Sequence, residues 1–148
     1  LFVDADQDRV GIGLSAPSAS LHVADDAQVD GALSYEDYIL AELSIPGVAL
    51  QTDTNAFRFT CPYNLKVEGL GLSLDQHSTS GDVTVTVTNS TTSNQMISLT
   101  ISGTSLGTET TTVSNAACSK GDAITFAITA TPANAISLRA SLRVRRRL

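Results

Sequence analysis

From Leu50 nearly to its end, the chain alternates apolar and polar residues with a period of two. Phe57, Phe59 and Cys61 alternate with Arg58 and Thr60. Leu65 and Val67 follow Pro62, and Leu70, Leu72 and Leu74 alternate with Gly71 and Ser73. Val83, Val85 and Val87 alternate with threonines; Ile97, Leu99 and Ile101 with Ser98, Thr100 and Ser102. Ile124, Phe126 and Ile128 continue the pattern, and Ile136, Leu138, Ala140, Leu142 and Val144 end it. Successive side chains of a strand point to opposite faces, so each segment reads as a half-buried strand with one wettable face. Outward threonine suits this, because it has high strand propensity and stays polar. Turn signals separate the segments: Ser80-Gly81-Asp82, residues 89–94, Ser102-Gly103, Lys120-Gly121-Asp122 and Thr131-Pro132. Seven or eight strands so spaced predict an antiparallel β-sandwich or jelly roll. With 42% hydrophobic and 16% charged residues, the chain has the apolar surface to build that core, which excludes a disordered acidic tail.

Upstream the pattern is less uniform. Ser34-Tyr35-Glu36-Asp37 has the form of a helix capping box, and Tyr35, Tyr38, Ile39 and Leu43 would share a helical face. Ile39, Ala41, Leu43 and Ile45 also alternate, and a strand over 38–45 is the preferred reading; Pro46-Gly47 ends it either way. Residues 25–31 form a polar linker. Residues 1–23 make a short ribbon: Leu1-Phe2-Val3, an acidic turn, Arg9-Val10-Gly11-Ile12-Gly13, a Ser-Ala-Pro turn and Leu21-His22-Val23. Val3, Val10, Ile12, Leu21 and Val23 give it one apolar face without a second layer. Such a ribbon is marginal in water, and copies of itself around a symmetry axis are an economical cover. The division expected is therefore a neck and linker over 1–31 and a head over 32–148. Leu1 stands where an initiator Met would, so a further segment is expected before it.

The phrase FVDADQDRVGIGLSAPSASLHV resembles the short "FVD…RVGIG…P…LHV" repeats of bacteriophage tail-fibre and virion-spike proteins. Val-Gly-Ile-Gly, the proline and Leu-His-Val fall at the family's spacing; Leu14 departs from it, where a small polar residue is usual. In that family the repeat forms intertwined trimeric β structure. The resemblance covers about the first 23 residues, and the second half is similar in pattern to the β-sandwich heads of the same appendages. It implies a virion protein, the C-terminal part of a homotrimeric fibre or spike, attaching to a host surface glycan or protein without catalysis. A capsid decoration or head fibre docked on other virion proteins is the alternative. A polysaccharide depolymerase head is a further one, which aromatic content of 5% and the lack of Trp disfavour.

Candidate chemistry is sparse. Asp4, Asp6 and Asp8 alternate as at the start of a calcium loop, but Arg9 replaces the glycine and Ser15 the closing glutamate, so no metal is expected. Gly11-Ile12-Gly13-Leu14-Ser15-Ala16 matches a dinucleotide fingerprint in letters only, because Pro17 and a strand follow where a helix must. His22 and His77 have no nucleophile motif beside them. Glu36, Asp37 and Glu42 could pair for glycoside hydrolysis, though local charge explains them more simply. The expectation is no enzyme and no cofactor. Asn89-Ser90-Thr91 fits a glycosylation sequon that a phage-like protein would not use. The polar loops 75–82 and 89–95, with Asp75, His77, Asn89, Asn94 and Gln95, are the candidate receptor contacts.

Net charge is −6, yet five of the nine basic residues lie in the last ten positions. The acidic body disfavours nucleic acid, and no apolar run is long enough to insert in a membrane. Arg139, Arg143, Arg145 and Arg147 share the outer face of the last strand, where aligned like charges repel. Acidic groups of a neighbouring copy would relieve them; a solvated terminal strand is equally in view, and an anionic glycan comes third. Cys61 and Cys118 could form one disulfide, although two buried thiols on neighbouring strands is the preferred reading.

Overall fold

Because the inward phase of each strand is apolar, strands can pair in two layers and bury that phase between them. A computed structural model describes residues 2–23, 34–77, 79–131 and 134–147. The chain divides into two units, Leu1–Ala32 and Leu33–Leu148. The expected linker over 25–31 lies outside the described residues.

In the larger unit, β4 (Ser34–Glu42), β12 (Ile136–Arg147) and β6 (Leu65–Gln76) form one sheet, with β9 (Gly107–Thr110) and β10 (Ala117–Cys118) both paired to the far edge of β6. The second sheet runs β5 (Asp53–Thr60), β11 (Ala123–Ala130), β7 (Val83–Asn89) and β8 (Asn94–Ile101). All these pairings are antiparallel. With β9 and β10 counted as one interrupted strand, the chain crosses between sheets except at the β7–β8 hairpin. The first and last strands end as neighbours. That order is the eight-stranded jelly roll.

The inner faces are the ones the alternation specifies. Leu70, Leu72, Leu74, Leu138, Leu142 and Val144 of one sheet meet Val83, Val85, Val87, Ile101, Ile124 and Phe126 of the other, all buried. Phe57 packs edge-on against Phe126, ring centroids 5.7 Å apart. Each such side chain contributes roughly 1.5–3 kcal/mol by leaving water.

Two bulges keep strands in phase. Val67 lies three residues from Leu70 and Leu65 five, odd steps that would turn one set outward. Arg143 pairs with Gly69 and Val144 with Val67, so Glu68 is the extra residue and both sets point inward along one strand. In β8, Val87 pairs with Ile97 and Thr88 with Gln95, which leaves Met96 extra; Met96 and Ile97 are both buried.

The capping-box helix does not form: Ser34 to Glu42 is strand throughout, in continuous antiparallel register with β12 from Ser34 opposite Arg147 to Glu42 opposite Arg139. Ile45 lies beyond the strand and is exposed. At the start of β12, Ser137 takes φ +56° and is buried, so Ala135 and Leu138 point inward and Ile136 is only half-buried. The Ser137 hydroxyl accepts a hydrogen bond from Gly47 N–H at 2.8 Å.

The smaller unit is a three-stranded sheet of β1 (Phe2–Asp4), β2 (Arg9–Ile12) and β3 (Leu21–Val23), with β1–β2 antiparallel and β2–β3 parallel. The return from β2 to β3 is fixed by Arg9 Nη1–H donating to Pro17 O at 3.1 Å. Ser18 N–H donates to His22 Nδ1 at 3.2 Å, which gives His22 a structural part in the turn. Gly11 is obligatory there, because a Cβ would stand 2.7 Å from Leu14 O.

Candidate functional site: two binding faces

In the ribbon, register decides which side chains share a face. Val3 pairs with Val10 and Val10 with Leu21; Ile12 pairs with Val23. Directly paired residues project to the same side, so all five apolar residues form two rows on one face. Much of this face is open among the described residues: Val3 and Leu21 are each 62% exposed and Ile12 46%, while Val10 and Val23 are half-buried. The acidic turn below them folds on itself, Gln7 N–H donating to Asp4 Oδ1 at 3.3 Å.

In the head, the outer face of the β4–β12–β6 sheet is hollowed by small residues. Gly71 on β6 faces Ser141 on β12, and Ser73 stands opposite Arg139; a Cβ on Gly71 would lie 2.7 Å from Ser141 Oγ. Leu40, 75% exposed on β4, forms one wall, and Thr108 and Glu109 on β9 form the other. The hollow measures about 800 Å³. A smaller depression continues past Gly69 to Tyr38 and Arg143.

The arginines of β12 border this face, and two of them, Arg139 and Arg145, meet carboxylates of the same chain. Arg139 grips Asp75 with both terminal nitrogens, at 2.8 and 3.0 Å, and its Nε lies 3.4 Å from Glu42. Asp75 raises the pKa of Arg139, by hydrogen bonding first and charge second. Arg145 Nη2 lies 3.1 Å from both Glu36 and Glu68. Arg143 donates to Glu68 O at 3.3 Å. Arg139 and Arg145 thus find counter-charges within their own chain: on β4, Glu42 stands opposite Arg139 and Glu36 opposite Arg145. Arg146, in the inward phase, stacks over the Tyr63 ring at 4.1 Å. The side chain of Arg147 lies outside the described residues.

The proposed receptor loops do not form one surface. Asp75 belongs to β6 and is engaged by Arg139. His77 follows that strand, partly buried and engaged. Asn89 is a correction: it continues the inward phase of Val83, Val85 and Val87 and is 2% exposed. Its Nδ2 donates to Asp122 Oδ2 at 2.8 Å, and its Oδ1 accepts from Thr91 and Thr92 N–H. It is unavailable to a receptor and to a glycan. Asn94 and Gln95 are exposed at the start of β8. Among the described residues no group of three or more His, Cys, Asp or Glu side chains could hold a metal ion.

Sequence reasoning missed Tyr38, Leu40, Gly71, Glu109 and Ser141 as a surface. The signal available was the Gly-Leu-Gly of β6, where two glycines in a strand mark a close approach.

No known family profile matches the sequence, and no curated protein matches it. Three solved structures to which it is similar are viral. A chain of the cyanophage Pam1 capsid asymmetric unit is 19% identical with a TM-score of 0.49, over 90% of this chain and 97% of that one. A chain of turnip yellow mosaic virus is 11% identical with a TM-score of 0.33, over 93% and 92%. A mutant VP2 protein of infectious bursal disease virus is 18% identical with a TM-score of 0.36, over 92% of this chain and 36% of that one. The jelly-roll assignment rests on strand order and register, independently of these likenesses.

Proposed function

We propose that this chain is a structural virion protein that works by binding and display, without turnover. The ribbon joins three copies, and each copy carries a jelly-roll head. The observation that supports this most is the uncovered apolar face of Val3, Ile12 and Leu21 on a sheet too small to stand alone. Three ribbons around an axis would cover it, each apolar row packing on a copy of itself. The resemblance of residues 1–23 to trimeric fibre repeats agrees in oligomeric order. Three linked heads sum weak contacts, so modest affinity per head supports attachment to a host surface. The exposed polar residues Asn94 and Gln95 and the hollow between Leu40 and Glu109 are the surfaces each head offers.

A binding experiment with two readouts tests this. Fluorescently labelled protein is titrated onto bacterial cells, and the same cells' surface polysaccharide is incubated with unlabelled protein and sized. Saturable binding with unchanged polysaccharide length agrees with attachment. Shortened polysaccharide chains would sink the reading, because they require turnover.

A further inference from the structure

Two corners of the sandwich meet at Cys61 and Cys118. Cys61 directly follows β5 of one sheet, and Cys118 ends β10 on the other, opposite Leu65. Backbone bonds lace the corners together: Cys61 N–H donates to Asp122 O, and Gly121 N–H to Cys61 O, each at 2.8 Å. Lys120 N–H adds a bond to Asn64 Oδ1 at 2.9 Å. Both cysteines are free and buried, and the Cys118 thiol donates to Ala116 O at 4.0 Å, on the segment that leads into this corner.

We propose that Cys61 and Cys118 are the two halves of a latent disulfide that closes one end of the sandwich and ties its two sheets covalently. The inference does not depend on the function proposed above. The oxidant class is a small-molecule disulfide such as oxidised glutathione. One cysteine thiolate attacks it, forming a mixed disulfide and releasing one glutathione thiolate. The second cysteine thiolate attacks the protein sulfur of that mixed disulfide and releases the second. The protein loses two hydrogens, the oxidant becomes two thiols, and one S–S bond joins the sheets.

Burial sets the timing. It pushes both thiols up, Cys118 to about 12, where the neighbouring Cys61 and Asp122 add to the effect. In the closed sandwich they stay protonated and shielded, so they react slowly. Closure is fast only as the chain folds or when this corner opens. The laced corners then hold the sulfurs together, and the bond, once made, is as shielded from reductant as the thiols are from oxidant.

The test refolds the full chain in a glutathione redox buffer and, separately, in excess reductant. The oxidised sample is expected to show no titratable thiol in denaturant and a mass lower by two hydrogens. A non-reducing digest should link the Cys61 and Cys118 peptides. The closed loop runs across five strands, so melting should rise by roughly 5–15 °C relative to the reduced sample. A Cys61→Ala/Cys118→Ala variant should melt alike in both buffers; if it does not fold, the thiol count and peptide map of the unaltered chain still decide. Two free thiols after oxidative refolding, glutathione adducts left in place, or disulfide-linked dimers would each overturn the proposal.

Discussion

Asn89→Ala is the most informative perturbation of the head. Asn89 sits at the end of β7 with its amide wholly inside, joining the β7–β8 turn to the β10–β11 turn. Asp122 Oδ2 accepts from Asn89 Nδ2 at 2.8 Å and from Ser119 N–H at 2.9 Å, while Asn89 Oδ1 accepts from two backbone amides of the adjacent turn. Hydrogen bonds to a charged group contribute about 1.5–3 kcal/mol each, and a buried partner left unsatisfied costs about 1–3 kcal/mol. Asp122 is only partly buried and the turn amides can recruit water, so these contributions do not sum in full. The expected loss is about 2–3 kcal/mol, or ~4–12 °C in melting temperature for a domain of this size. Denaturant unfolding of Asn89→Ala beside Asn94→Ala measures it. Asn94 is exposed and should change stability by less than ~0.5 kcal/mol. Equal effects at the two positions would refute the assignment of Asn89 to the interior.

The β6 glycines should behave differently. Gly69→Ala is expected to destabilise by about 1–3 kcal/mol, because its Cβ would meet the Thr110 backbone oxygen at 2.7 Å. Gly71→Ala meets only the Ser141 hydroxyl, which can rotate away, and should cost less on the same unfolding curve. Arg139→Ala should lower stability slightly at low salt and not measurably at high salt, as its ion pairs are half-exposed. The pH prediction follows from Cys118, whose thiol has its pKa raised from 9.0 to about 12 by burial. A raised folded pKa gives stability that is complete below pH 9.0 and is lost as pH climbs toward 12. Under reducing conditions, Cys118→Ala should therefore lose less stability than the unaltered chain between those limits; parallel curves would contradict it.

How much of this was legible from the residues varies by distance along the chain. Period-two alternation is local, and it located the inward valines of β7 and the long last strand directly. The same rule also reached Asn89, which stands in phase with Val83, Val85 and Val87; its polarity and position near a turn hid this. Bulges defeat alternation by one residue, and Glu68 and Met96 are invisible until a partner strand fixes register. Tyr38 to Glu42 was ambiguous because its apolar residues satisfy both periods, and pairing with β12 resolved it. The counter-charges of Arg139 and Arg145 come from residues far away in sequence, placed opposite them only by jelly-roll topology. The hollow over Gly71 is likewise a property of three strands together.

The ribbon carries the central claim, that this chain acts as a multimer built on Val3, Val10, Ile12, Leu21 and Val23. Light scattering coupled to size exclusion measures it directly, on the unaltered chain and on Val3→Asp/Leu21→Asp. The account predicts three chains per particle and a single folded chain in the double variant. A single chain per particle for the unaltered protein, at the same concentration, would contradict it.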